Sequence, residues 1–161
     1  SKKREKEIAN DIGGRAHAAS GALWFKKSDA SNAYFQVEDK FTDKDFYTLN
    51  ISSLKKIEKE ALSHGKTPIF RFGFTDGKFK ENYALLRMND SNKLSDIYGI
   101  EKIVVDKKSV RLHSEKLKFA YLCSNSYAIM LITFNITNNT YILIQWDDFL
   151  LHQDYFKGVD N

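Results

Sequence analysis

The sequence predicts a mixed α/β domain: a central sheet flanked by helices. Three observations carry this. Two segments place apolar residues at helical spacing, several short runs are rich in strand formers, and the two kinds of segment alternate along the first half of the chain. The apolar fraction is 42% and aromatics make up 14%, enough for a packed core and against global disorder.

Each element follows in order. Residues 2–12, KKREKEIANDI, read as a helix with Ile8, Ala9 and Ile12 on one face, stopped by Gly13-Gly14. A small-residue loop follows, from Arg15 to Ala22. Residues 22–28 and 33–41 read as two strands of a hairpin, with DASN (29–32) as the turn and Asp29 at the hairpin end. Residues 42–51 read as polar and irregular. Ser52 is the expected N-cap of a helix ending near His64, with Leu54, Ile57, Ala61 and Leu62 inward and Gly65 as its stop.

Strands are expected at 67–74 and 83–88, and shorter ones at 100–105 and 109–114. The runs KFAYLC (118–123), YAIMLITFNI (127–136) and TYILIQW (140–146) also read as strands. The segment DDFLLHQDYF reads as a terminal helix N-capped by Asp147-Asp148. The expected organisation is a core at 1–90 and a strand-rich elaboration at 91–161, packed on or extending it as a single compact domain.

Composition narrows the function classes. The only cysteine, Cys123, excludes an intramolecular disulfide and a cysteine-built zinc site, and points to a reducing compartment. No apolar run reaches membrane-spanning length and SKKREKE lacks a signal-peptide core, so a soluble, cytoplasmic protein is expected. Residues 1–80 hold 16 Lys and Arg against 11 Asp and Glu, whereas residues 81–161 hold 9 against 10. A basic first half suits a polyanionic partner, nucleic acid being the commonest, or a solvated lysine surface. Lys55, Lys56 and Lys59, on the polar face of the second helix, and Lys2, Lys3 and Arg4, at the head of the first, are phosphate-contact candidates on the same terms. His17 reads as a loop residue and His64 as a helix-end cap; His113 and His152 have no ligand spacing.

The chemistry centres on YFQVEDKFTDKD, residues 34–45. Strand alternation sends Gln36, Glu38 and Lys40 to one face and Phe35, Val37, Asp39 and Phe41 to the other. Asp29, across the hairpin, can approach Glu38 and Lys40. Two carboxylates are hard oxygen ligands for Mg²⁺, which polarises a phosphoryl oxygen; a lysine can orient water or neutralise phosphate charge. A cross-strand ion pair explains Glu38 and Lys40 without catalysis.

The wider order of motifs resembles the PD-(D/E)XK nuclease superfamily, and within it the Holliday-junction-resolvase-like branch, phage members included. The residues that carry the resemblance are Glu5 in REKEIA, Gly13-Gly14-Arg15, Ser20-Gly21-Ala22, Lys27-Ser28-Asp29 and Glu38-Asp39-Lys40-Phe41-Thr42, then KKIEKEA and HGKTPIFRF. It covers roughly residues 4–90; Ser28 replaces the name-giving proline. The resemblance implies a restriction-endonuclease-like fold and a Mg²⁺-dependent DNA endonuclease, with Mn²⁺ as a substitute. Asp29 and Glu38 would hold the metal, Lys40 would handle the attacking water, and Glu5, or Glu7 in its place, would complete the shell. Arg15, Ser20, Lys27, Thr42 and Lys55 would contact DNA. Branched DNA such as a four-way junction is the implied substrate, and a homodimer the implied assembly in a bacterial or phage-infected cell. A sequence-specific restriction or repair nuclease and a non-catalytic nucleic-acid-binding module are the alternatives.

Overall fold

A computed structural model describes residues 2–13, 15–16, 29–75, 80–90, 100–124 and 126–157. The elements are α1 (Lys2–Asp11), β1 (Arg15–Ala16), β2 (Ala30–Ser31), β3 (Phe35–Thr42), β4 (Phe46–Asn50), α2 (Ile51–Ser63), β5 (Thr67–Thr75), β6 (Lys80–Arg87), β7 (Glu101–Val105), β8 (Ser109–His113), α3 (Ser114–Cys123), β9 (Ala128–Phe134), β10 (Asn139–Gln145) and α4 (Trp146–Leu151). Eight strands form one sheet in the order β1-β2-β3-β5-β6-β10-β9-β7, while β4 and β8 pair separately. The pairs β3–β5 and β7–β9 are parallel and the remaining pairs are antiparallel, so the sheet is mixed, as expected. β10 lies against β6, which places β7, β9 and β10, all after residue 90, in the same sheet as the strands of the first half.

Two apolar layers sandwich the sheet. On one face, Ile8, Ala9 and Ile12 of α1 and Trp146 and Phe149 of α4 pack on Phe35, Val37, Ile69 and Ile142. On the other, Leu49 of β4, Leu54 of α2 and Leu117 of α3 pack on Phe70, Phe72, Phe74 and Leu143. Period-two alternation along β5 divides its residues between the layers: Phe70, Phe72 and Phe74 face α2, whereas Ile69 and Arg71 face α1. Among the described residues, no helix is long and apolar enough to cross a membrane.

Local details differ from expectation for identifiable reasons. The hairpin turn is Asn32–Tyr34 rather than 29–32, because the Asn32 side chain accepts the Tyr34 and Phe35 amides and nucleates it. Asp29 therefore stands beside β3, its amide donating to the Val37 carbonyl. Asn50, not Ser52, caps α2 by accepting the Ser52 amide. Gly65 (φ +67°) is in the left-handed conformation that ends the helix. Ile51 and Glu58 join the buried side of α2, while Leu62 is exposed. The segment read as irregular contains β4, whose partner β8 is some sixty residues away and invisible to local pattern. Gln145 caps α4, accepting the Asp148 amide, and both aspartates lie in its first turn.

The largest departure is at 118–123, a helix rather than a strand. Buried Glu81 of β6 explains it. Its carboxylate accepts the Ser114 hydroxyl at 2.8 Å and pairs with Lys118 at 2.7 Å, and also accepts the Tyr83 hydroxyl at 2.8 Å. Ser114 and Lys118 are four residues apart and meet one carboxylate only on a helix, so a tertiary contact overrides the strand-forming aromatics. The strand expected at 22–28 lies outside the described residues.

α1 is fastened to the sheet by polar contacts as well as by its apolar stripe. Arg4 Nη2 donates to Asn82 Oδ1 at 3.1 Å, above Gly73. A Cβ at position 73 would lie 2.2 Å from Asn82 Oδ1 and 2.9 Å from Arg4 Nη2. Gly73→Ala is therefore expected to cost about 1–3 kcal/mol by overpacking, read by urea denaturation. Unchanged stability would show that α1 does not depend on this close approach.

Candidate active site

The site forms at the start of β2, which lies between β1 and β3. β2 pairs Ala30 with Val37 and Ser31 with Gln36. Carrying this antiparallel register one step further sets Asp29 opposite Glu38, and residues directly opposite each other share a face. The Asp29 carboxylate accepts the Asp39 amide at 2.6 Å. Two residues along β3, Lys40 Nζ lies 3.4 Å from Glu38 Oε1. The Glu38 side chain is 17% exposed and that of Lys40 is 54% exposed, so the pair runs from a sheltered carboxylate to an accessible ammonium.

The electrostatics are those of crowded, desolvated acids. Burial pushes Glu38 up to about 7, the facing Asp29 charge adds to this, and Lys40 opposes it. Asp29 is likewise raised, first by burial and further by the Asp39 and Glu5 charges, against the Asp39 amide bond and Lys40. Both acids would be relieved by a cation between them. Asp29 and Glu38 are hard oxygen donors on one face, so the residues fit a divalent metal, and Mg²⁺ commonly takes one or two carboxylates with water and phosphate completing its shell. Among the described residues, no group of three or more His, Cys, Asp or Glu gathers as a ready metal cage. Glu5 acts on Asp29 through its charge, whereas Glu7 acts on Arg71, so the two glutamates of α1 serve different groups.

Asp39 points the other way, as alternation requires, and it holds Arg4, which the sequence offered as a phosphate contact. The Asp39 side chain is 5% exposed and is clasped by two arginines: Arg4 Nε at 2.5 Å and Nη2 at 2.9 Å, and Arg71 Nη1 at 2.8 Å. Arg71 is 1% exposed, lies in parallel register with Asp39, and stacks its guanidinium 4.8 Å from the Trp146 ring. Arg4 also covers the Phe41 ring at 5.2 Å. Nothing in local sequence pattern links Arg71 to Asp39; only the β3–β5 register does.

A groove of about 450 Å³ opens between β3 and α2, lined by Gln36, Glu38, Lys40, Lys56, Lys59 and Glu60 among others. Lys56 and Lys59 thus share a surface with the proposed catalytic pair. Lys55 is turned away from it and pairs with buried Glu58 at 3.8 Å. Thr42 ends β3 and accepts the Lys44 amide. His64, at the end of α2, meets Gln36 Oε1 through Nδ1 at 2.9 Å. Tyr47 of β4, which sequence pattern did not single out, stacks on Phe72 at 5.0 Å; burial, then the Asp39 and Glu38 charges, pushes its phenol up to about 12, so it stays a neutral hydroxyl beside the acids. Ser20, Lys27 and the Arg15 side chain lie outside the described residues.

No family model and no curated protein matches the chain. Among solved structures, the chain is similar to Archaeoglobus fulgidus Hjc, a Holliday junction resolvase from an archaeal hyperthermophile. The match has a TM-score of 0.43 at 12% identity and covers 70% of this chain and 86% of that one.

The raised Glu38 makes a signed prediction for the metal-free protein. Its folded-state value of about 7 exceeds the ordinary 4.5, so the native state holds the proton more tightly and loses stability as pH rises between those values. Glu38→Gln removes that loss. The variant should be more stable than the parent at pH 8 by roughly 1–3 kcal/mol, with the gain gone by pH 4, read by urea denaturation in EDTA. An equal gain at both pH values would contradict the assignment.

Proposed function

We propose that this chain is a Mg²⁺-dependent DNA endonuclease that hydrolyses phosphodiester bonds, with branched DNA such as a four-way junction as its substrate. The observation that carries the reading is the facing pair Asp29 and Glu38 with Lys40 on the same strand beside an open groove. The E-x-K spacing and the flanking motifs favour the same reading; the choice of branched DNA and a homodimeric assembly rest on those motifs alone. Two paired incisions on a two-fold substrate suit a two-fold dimer.

Asp29 and Glu38 would hold the metal. When bound, Mg²⁺ supplies positive charge at the phosphoryl oxygens and lowers the pKa of water. Lys40, whose ammonium lies 3.4 Å from Glu38, would orient the attacking water or neutralise the charge that grows on the non-bridging oxygen. Glu5 keeps the region acidic behind Asp29, favouring a cation there. Asp39 contributes its amide, which orients Asp29 by the 2.6 Å hydrogen bond.

Labelled four-way junction and linear duplex, each incubated with Mg²⁺ or EDTA, test the reading. Metal-dependent cutting should fall by roughly 10²- to 10⁴-fold in Glu38→Ala and in Lys40→Ala, with DNA binding retained. Absence of cutting on every DNA with Mg²⁺ or Mn²⁺ would overturn it. Paired symmetric nicks on the junction alone support the branched substrate, and cutting of linear duplex at a fixed sequence would replace it with a restriction-type activity.

A further inference from the structure

The groove between β3 and α2 has a direction. The chain reverses between the two elements, so Lys40 lies toward the Ser53 end and Gln36 toward the Ser63 end. Ser53 to Ser63 spans ten residues of helix, about 15 Å.

Its charge is organised along α2. Lys56 and Lys59 are exposed, three residues apart on one side of the helix, about 5–6 Å between Cβ atoms. Among the described residues, neither has a carboxylate partner, in contrast to Lys55, which is held by Glu58. Ser53 and Ser63 place hydroxyl groups at the two ends of the lining, and Glu60 is the acid that α2 adds to it. Among the described residues, two ammonium groups without a carboxylate partner lead away from Glu38 and Lys40 along one groove, which describes a track for a phosphodiester backbone.

We infer that Lys56 and Lys59 grip consecutive phosphates of one strand of a bound nucleic acid whose backbone lies along this groove, adjacent to the phosphate that meets Glu38 and Lys40. The placement of the reacting phosphate rests on the nuclease reading; the grip does not. Two phosphate contacts contribute a fixed share of the salt dependence of binding, about 0.7 in the logarithmic slope for each on a single strand.

The test measures binding of a fluorescent single-stranded oligonucleotide and of a four-way junction by anisotropy, in EDTA, from 50 to 300 mM salt. The Lys56→Gln/Lys59→Gln double variant should bind roughly tenfold or more weakly at 0.1 M salt, with a slope shallower by about 1.4 on single strand and about 1.8 on the junction. Lys107→Gln, in the turn after β7, is the control and should match the parent. An unchanged slope in the double variant, or no binding of either DNA by the parent, would overturn the inference. If the parent never cuts DNA with Mg²⁺ yet the slope falls as stated, the strand track stands and the nuclease reading fails. If cutting occurs and the slope is unchanged, the reverse holds.

Discussion

Burial of Asp39 between Arg4 and Arg71 is the constraint on which the rest of this structure depends. Three charged groups leave water together, and the arrangement is tolerable only because each carboxylate oxygen is met by a guanidinium. The cluster ties α1 to the centre of the sheet, fixes β3 against β5 in register, and brings Trp146 of α4 over Arg71. Removing one member of a buried ion cluster typically costs about 3–5 kcal/mol, because the remaining charges stay buried without partners. The space for Arg4 exists because residue 73 has no side chain.

The two faces of one strand therefore divide the work. On the α1 face, Asp39 is spent on architecture. On the α2 face, Glu38 and Lys40 stay near solvent, with Asp29, the residue before β2, facing Glu38. The backbone joins the two functions, since the amide of Asp39 donates to Asp29. Rigid placement of crowded acids is what makes their charge available to a cation or to the phosphorus-bound oxygens it would neutralise. Burial raises Glu38 first and the fixed Asp29 charge adds to it, and the use proposed for the pair requires the two carboxylates to stay together.

Much of this was legible from sequence where the signal is local. Period two in β3 placed Glu38 and Lys40 together and sent Asp39 away, and helical spacing placed Ile8, Ala9 and Ile12 inward. What stayed hidden depends on partners distant in the chain. Asp39 looked like a charge without a purpose because Arg71 becomes its neighbour only through the parallel β3–β5 register. FYTLN looked irregular without β8 beside it, and KFAYLC looked like a strand without buried Glu81 to bind Ser114 and Lys118. Lys55 was the lysine of α2 expected to contact DNA, but the docked helix turns Lys55 to Glu58 and Lys56 and Lys59 to the groove.

The central claim is that Asp29 and Glu38 together hold one divalent ion. Crystals soaked in Mn²⁺, with anomalous diffraction recorded, test it most directly. The account predicts one strong peak between the Asp29 and Glu38 carboxylates, absent in crystals of Glu38→Ala. A peak at another site with none here, or a peak between these residues that survives Glu38→Ala at full height, would contradict it.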